Sequence, residues 1–288
     1  MPAVRMTRRS LLRAAAASVV AASSARIAVS ATGSDPGLTP VRPPSDLDPL
    51  RGQNSNDGAV IEDARAKDLF TSARIAVFGG PGGIARLRSM RFKGKSKVPG
   101  EDGSMLPATV EIRVLLPDNY LRLDTGEFGR RATGYTGRTT LDKIERPDGR
   151  VVPDPRDNAG VLMGNRATLA RLMLGIATFT SPEMPVELRT HGTPREMPVV
   201  PESAWVDAVG DGFAAKMILD AKTRVPIRLA YWGADRMVMN TTFSDRRSTG
   251  GMKAPYRIVT TAGDRVIDEL MFDEVTVNPS LSKADFVR

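Results

Sequence analysis

VEIRVLLPDNYLRLD (Val110–Asp124) decides the fold. Val110, Ile112 and Val114 alternate with Glu111 and Arg113, the period of two that marks a strand wet on one face. Pro117, Asp118 and Asn119 form a turn, and Tyr120–Thr125 resumes the alternation, so the stretch is a β-hairpin. Working outward, Met90–Val98 reads as the preceding strand, joined through a polar turn at Pro99–Ser104. Further strands are expected at 213–219, 225–232, 237–243, 256–262 and 265–277, separated by DAKTR, GAD, STGGMKAP and AGD, short loops of hairpin chemistry. Such an up-and-down meander buries one face only, and something must cover that face.

The cover is expected to be helical. Leu169, Leu172, Met173 and Ile176 recur at helical spacing within Asn165–Phe179, and Ala66, Leu69, Phe70, Ala73 and Val77 do so within 62–77. A short helix is expected at 84–89. The fold class is therefore α+β, a curved antiparallel half-barrel with helices over its concave face. Ile112, Val114, Phe213, Met217, Leu219, Ile227, Leu229, Met237 and Met239 fall on alternating apolar strand positions, with Leu172, Met173 and Ile176 facing them from the helix. These twelve are either plain core or the wall of an apolar cavity. Methionine is the more suggestive among them, because its flexible thioether chain adapts to varied apolar shapes.

RIAVFGGPGGIARLRS (Arg74–Ser89) superficially resembles a phosphate-binding loop. A Walker loop needs Lys and Ser or Thr directly after its last glycine, where this chain has Ile84, Ala85 and Arg86. The glycines at 79, 80, 82 and 83 do not have dinucleotide spacing either. They follow an apolar-periodic helix, so they read as its stop, and no nucleotide is expected.

The first residues explain the charge of the chain, which is +8 with a pI near 10.0. TRRSLLR (Thr7–Arg13) followed by AAAASVVAASSA has the basic region, weak apolar core and small-residue exit of a twin-arginine export signal, with cleavage after Ala25 or Ala31. Cleavage after Ala31 removes five arginines and no acid, leaving 36 basic against 33 acidic side chains, a net of +3. The high pI is thus no nucleic-acid footprint. Residues 32–61, rich in Pro, Ser, Gly, Asp and Asn, read as a flexible lead-in, and 62–288 as one domain. Zero cysteines exclude disulfides, thiolate metal sites and a lipidated cysteine, so a periplasmic or secreted protein is expected. The single histidine, His191, lies in a polar loop, and no nucleophile–base pair or G-x-S-x-G is visible, which leaves a hydrolase without an anchor. No catalytic residue, metal or cofactor is expected.

Four segments together resemble the LolA-like superfamily of periplasmic lipoprotein carriers and lipid-binding relatives. They are the helix ending in GG before IARLRSMRFKGKS, the hairpin VEIRVLLPDNYLRLD, the Asp-turn-Pro hairpin ILDAKTRVPIRLAYW, and the tail TTFSDRRSTGGMKAPYRIVTT…DEVTVNPSLSKADF. The resemblance implies an incomplete antiparallel barrel with helices over its open side. It also implies handling of a lipid, acyl chain or lipoprotein without covalent chemistry, or use of the same half-barrel to sense or bind an envelope protein. The carriers' binding residues do not map onto this chain, and none is carried over.

Overall fold

A computed structural model describes residues 59–61, 63–100, 103–153, 158–178, 180–190, 204–233 and 237–286. The export signal, nearly all of the lead-in, His191 and Phe179 lie outside the described residues.

The described chain forms one open sheet of fourteen strands: β1 (Ala59–Ile61), β2 (Ser89–Pro99), β3 (Met105–Leu115), β4 (Asn119–Gly126), β5 (Gly129–Thr136), β6 (Thr139–Glu145), β7 (Val151–Pro153), β8 (Val186–Arg189), β9 (Trp205–Gly210), β10 (Phe213–Leu219), β11 (Pro226–Trp232), β12 (Val238–Thr249), β13 (Met252–Ala262) and β14 (Arg265–Val277). Their spatial order is β1-β8-β9-β10-β11-β12-β13-β14-β2-β3-β4-β5-β6-β7. Two meanders, β2–β7 and β8–β14, are thus sutured by the antiparallel β14–β2 pair, and only β1 runs parallel to its neighbour. β1 occupies the last residues of the span expected as lead-in.

This order dictates where the helices go. The chain finishes the first meander at one edge of the sheet and must begin the second at the other, and helix α3 (Asn158–Gly175) makes that crossing. It packs on β10 and β11 and also on β4, β5 and β6. From β10 to β6 a flat sheet would measure about 43 Å at ~4.8 Å per strand, whereas an 18-residue helix is about 27 Å long. The sheet therefore curls around α3, and the half-barrel is the result.

Helix α1 (Ala64–Phe78) runs from the β1 edge toward the middle. The Asp63 side chain caps it, accepting from Ala66 N at 2.6 Å, and Ala66, Phe70, Ala73 and Val77 bury its inner stripe. Gly79 ends it in the left-handed conformation (φ 71), its N–H donating to Ile75 O at 2.8 Å, so the opening glycine of the cluster is a helix stop. A single helical turn, α2, lies at Pro81–Ile84 rather than 84–89, because Pro81 can start a turn directly after the glycine break.

α3 begins seven residues before the expected Asn165 and ends at Gly175 instead of 179. Gly160 and Gly164 mask its first turns in the sequence, and burial overrides their poor helix propensity. A Schellman motif stops it: Ala177 sits at φ 54, Thr178 N donates to Met173 O at 2.8 Å and Ala177 N to Leu174 O at 3.0 Å. The helix is buried on most of its circumference, from Val161 through Asn165, Leu169 and Met173, so it is a plug and not an amphipathic lid. STGGMKAP, expected as a loop, is strand on both sides of a two-residue Gly250–Gly251 turn that pairs Thr249 with Met252.

Candidate ligand-binding face

Directly paired residues of antiparallel strands share a face, so the register assigns the concave side. Phe92, Ile112 and Val114 lie there, as do Met217, Leu229 and Val206 across β9–β11. Ten of the twelve apolar positions singled out from the sequence, namely Ile112, Val114, Leu172, Met173, Ile176, Phe213, Met217, Leu219, Leu229 and Met239, join one buried cluster, none more than 7% exposed. Ile227 and Met237 do not. Leu219 pairs with Pro226 while Ile218 pairs with Arg228, so Ile227 is the extra residue of a β-bulge and is only half buried. Met237 precedes β12 and is 49% exposed.

The same face carries polar groups that the sequence did not flag. Arg171 of α3 lies over the Tyr231 ring at 4.1 Å and near that of Phe213 at 5.8 Å. Tyr231 Oη and Thr241 Oγ1 are hydrogen-bonded at 3.3 Å, and Thr241 Oγ1 lies 3.0 Å from Thr260 Oγ1. Arg166 donates to Asp118 Oδ2 at 3.0 Å and Asn165 donates to Gly134 O at 3.3 Å, which hold α3 to the β3–β5 side, and Ser181, in the segment after the helix, donates to Asp118 Oδ1 at 3.1 Å. Burial pushes the Tyr120 and Tyr135 phenols well above their ordinary range.

β4 inverts the expected alternation. Ile112 pairs with Arg122 and Val110 with Asp124, so the charged residues of YLRLD point to the concave side. There Arg122 donates to Asp124 and, through both terminal nitrogens, to Asp268 of β14, while Ser96 Oγ donates to Asp124 at 2.7 Å. Desolvation opposes the Arg122 charge, but the two carboxylates outweigh it and raise its pKa. Leu121 and Leu123 face the convex side instead, where Phe286 of a 3₁₀ turn at Lys283–Phe286 covers them. Arg113 anchors that tail by donating to Asp285 O at 3.1 Å.

On the convex face, Lys97 Nζ at 2.8 Å and Arg257 Nη2 at 2.7 Å donate to Glu269 and hold its carboxyl below the usual range. A folded-state pKa below the unfolded value of about 4.3 gives stability that is full above that pH and is lost as pH falls through the depressed value. Glu269→Gln is therefore expected to lower Tm at pH 7 and to converge on the wild type as pH falls below the depressed value. Thermal unfolding from pH 7 into acid checks this, and a gap that does not narrow on acidification would contradict it.

Among the described residues, no group of three or more His, Cys, Asp and Glu is placed to hold a metal ion, and no helix is long and apolar enough to cross a membrane. No protein-family profile matches the chain, and no curated protein matches it. Among solved structures the chain is similar to the LolA superfamily protein NE2245 from Nitrosomonas europaea, with 10% identity over 78% of this chain and 99% of that one and a TM-score of 0.46. It is also similar to a putative outer membrane lipoprotein-sorting protein domain from Vibrio parahaemolyticus (10% identity, 77% and 97% covered, TM-score 0.44). A third likeness is to a chain of the Pseudomonas aeruginosa MucA/MucB complex (12% identity, 78% and 61% covered, TM-score 0.28). With TM-scores below 0.5, no ligand or partner is carried over from them; the half-barrel itself follows from strand order and burial in this chain.

Proposed function

We propose that this is an exported, non-enzymatic protein of the cell envelope that carries an acyl chain or similar apolar molecule between its concave sheet face and α3. The observation that supports it best is the convergence of Met173, Met217 and Met239, from α3, β10 and β12, within one apolar cluster beneath a helix that crosses the open side of the sheet. Unbranched thioether side chains can repack around a guest without leaving fixed voids. Burying about ten methylenes contributes on the order of 8 kcal/mol at roughly 0.8 kcal/mol each, and association and ordering costs reduce this to a reversible affinity. The N-terminal arginine pair Arg8–Arg9 supports export by the twin-arginine route, with release after Ala25 or Ala31, as part of this reading.

The test is photo-crosslinking of the mature protein with a diazirine-bearing fatty acid, followed by peptide mapping. Label is expected on the segments containing Met173, Met217 and Met239. Label confined to exposed apolar residues such as Val151 or Met237 would sink the carrier reading. A second reading, an interaction module for an envelope protein, is favoured by the tight burial of Met217 and Ile176, each 0% exposed. It takes precedence if native mass spectrometry of protein purified from its own envelope finds a bound protein and no lipid.

A further inference from the structure

The glycine cluster that stops α1 meets a second glycine turn from the far end of the chain. Gly79, Gly80 and Gly83 stand on one side of a cleft of about 470 Å³, and Gly250 and Gly251 of the β12–β13 hairpin on the other. A Cβ added to Gly79, Gly80 or Gly251 would meet nothing within 4 Å, so these backbones border open space. Phe78, Leu87 and Met252 form the cleft's apolar wall, and all three belong to the same buried cluster as Met217 and Met239. The floor of the cleft is therefore the outer surface of the packed cluster that fills the concave interior.

Its charge is one-sided. Arg86 lines it, is exposed, and its guanidinium has no carboxylate partner among the described residues. No lining residue is acidic. The remaining polar side chain, Asn278, is already committed, accepting from Arg88 N at 2.7 Å and donating to Arg86 O at 2.8 Å. An unpaired cation over an apolar wall matches a molecule with a negative end and an apolar body. A small inorganic anion would leave the wall wet, and a neutral chain would leave Arg86 unused.

We propose that this cleft seats the anionic end, carboxylate or phosphate, of an amphiphile whose chain runs from here into the half-barrel; the assignment rests on the carrier reading above. Arg86 is the specificity residue, and the glycines keep the rim free of side chains where the chain passes.

Calorimetric titration of the mature protein with dodecanoate, dodecyl phosphate, dodecanol and inorganic phosphate, below their aggregation concentrations, tests it. Arg86→Gln is expected to weaken dodecanoate and dodecyl phosphate about tenfold, as loss of a charge-assisted hydrogen bond does, and to change dodecanol less than twofold. Arg88→Gln, a neighbouring guanidinium that donates to Ala85 O at 2.8 Å and does not line the cleft, should change none of them more than twofold. Equal loss for the acid and the alcohol, no loss for either, or the same loss in Arg88→Gln overturns the assignment and leaves the carrier reading standing. Binding of inorganic phosphate alone, with the same Arg86 dependence, also overturns it. If wild-type protein binds none of the three chains, the carrier reading and this assignment fall together. Both variants are exposed substitutions, and their melting curves should match the wild type.

Discussion

Gly94→Val is expected to destabilise the domain by about 3 kcal/mol, at the upper end of what forced overpacking costs. Gly94 lies in β2 opposite the irregular stretch of β14, where the register shifts between Phe272 and Glu274. A Cβ built on it would stand 2.1 Å from Met271 O and 2.7 Å from Phe272 Cα. Those are backbone atoms of the strand that sutures the two meanders, so relief requires the β14–β2 pair to part. Valine gains strand propensity of up to about 1 kcal/mol over glycine, and the steric term exceeds that gain. The comparison is Gly137→Asn, at φ 58 with nothing within 4 Å of a Cβ, where asparagine tolerates the left-handed backbone and little change is expected. Urea unfolding measures both. A Gly94→Val midpoint equal to the wild type would mean that the two backbones do not approach as described and that the curvature arises elsewhere.

That glycine shows where a sequence is legible and where it is not. Strands whose two faces differ are plain: Val110, Ile112 and Val114 announce β3, and FAAKMIL announces β10 to the residue. β5 and β6, GRRATGYT and TTLDKIE, carry no such contrast, because their concave positions include Arg131 and Thr133, paired across to Asp124 and Arg122, and Asp142, paired with Thr133. The short strands β1, β7, β8 and β9 escape for lack of length. β4 misleads more subtly, since Leu121 and Leu123 are apolar for the sake of a C-terminal tail more than 150 residues away in the chain. The apolar face was readable for ten residues of twelve because burial follows parity along a strand. It failed at Ile227 because a bulge changes parity without changing the local pattern. The cleft at the glycine joint was not readable at all: each glycine pair is an ordinary turn, and only the order of the sheet places Gly250–Gly251 beside Gly79–Gly80.

Arg246→Met is expected to cost about 3 kcal/mol and to loosen α3 more than any other element. Arg246 of β12 reaches the C-terminus of α3, where Nη2 donates to Gly175 O at 2.9 Å. The same nitrogen donates to Pro226 O, and Nη1 to Lys253 O at 3.1 Å, so one guanidinium ties the helix end to β11 and β13. Among the described residues it has no carboxylate partner, and burial pushes its pKa down to about 10, which leaves it cationic at neutral pH. The partial negative charge of a helix C-terminus is the electrostatic counterpart it does have. Removing it strips three carbonyls of a charged donor, at about 1–3 kcal/mol for each that stays buried and unpaired. Arg246→Lys should recover only part of the loss, because a single ammonium cannot span acceptors on three elements. Hydrogen exchange locates the effect: amides of 170–178 should exchange faster in Arg246→Met, while those of β2 and β3 keep wild-type protection relative to global stability. If α3 is the element that must yield for a chain to enter, the same variant should also take up a fluorescent fatty acid faster than the wild type under conditions where both remain folded. Faster exchange without faster uptake would place the entry route away from the α3 C-terminus. An Arg246→Met protein as stable as the wild type would show that the Schellman motif at Ala177 suffices to end the helix and that the guanidinium holds nothing.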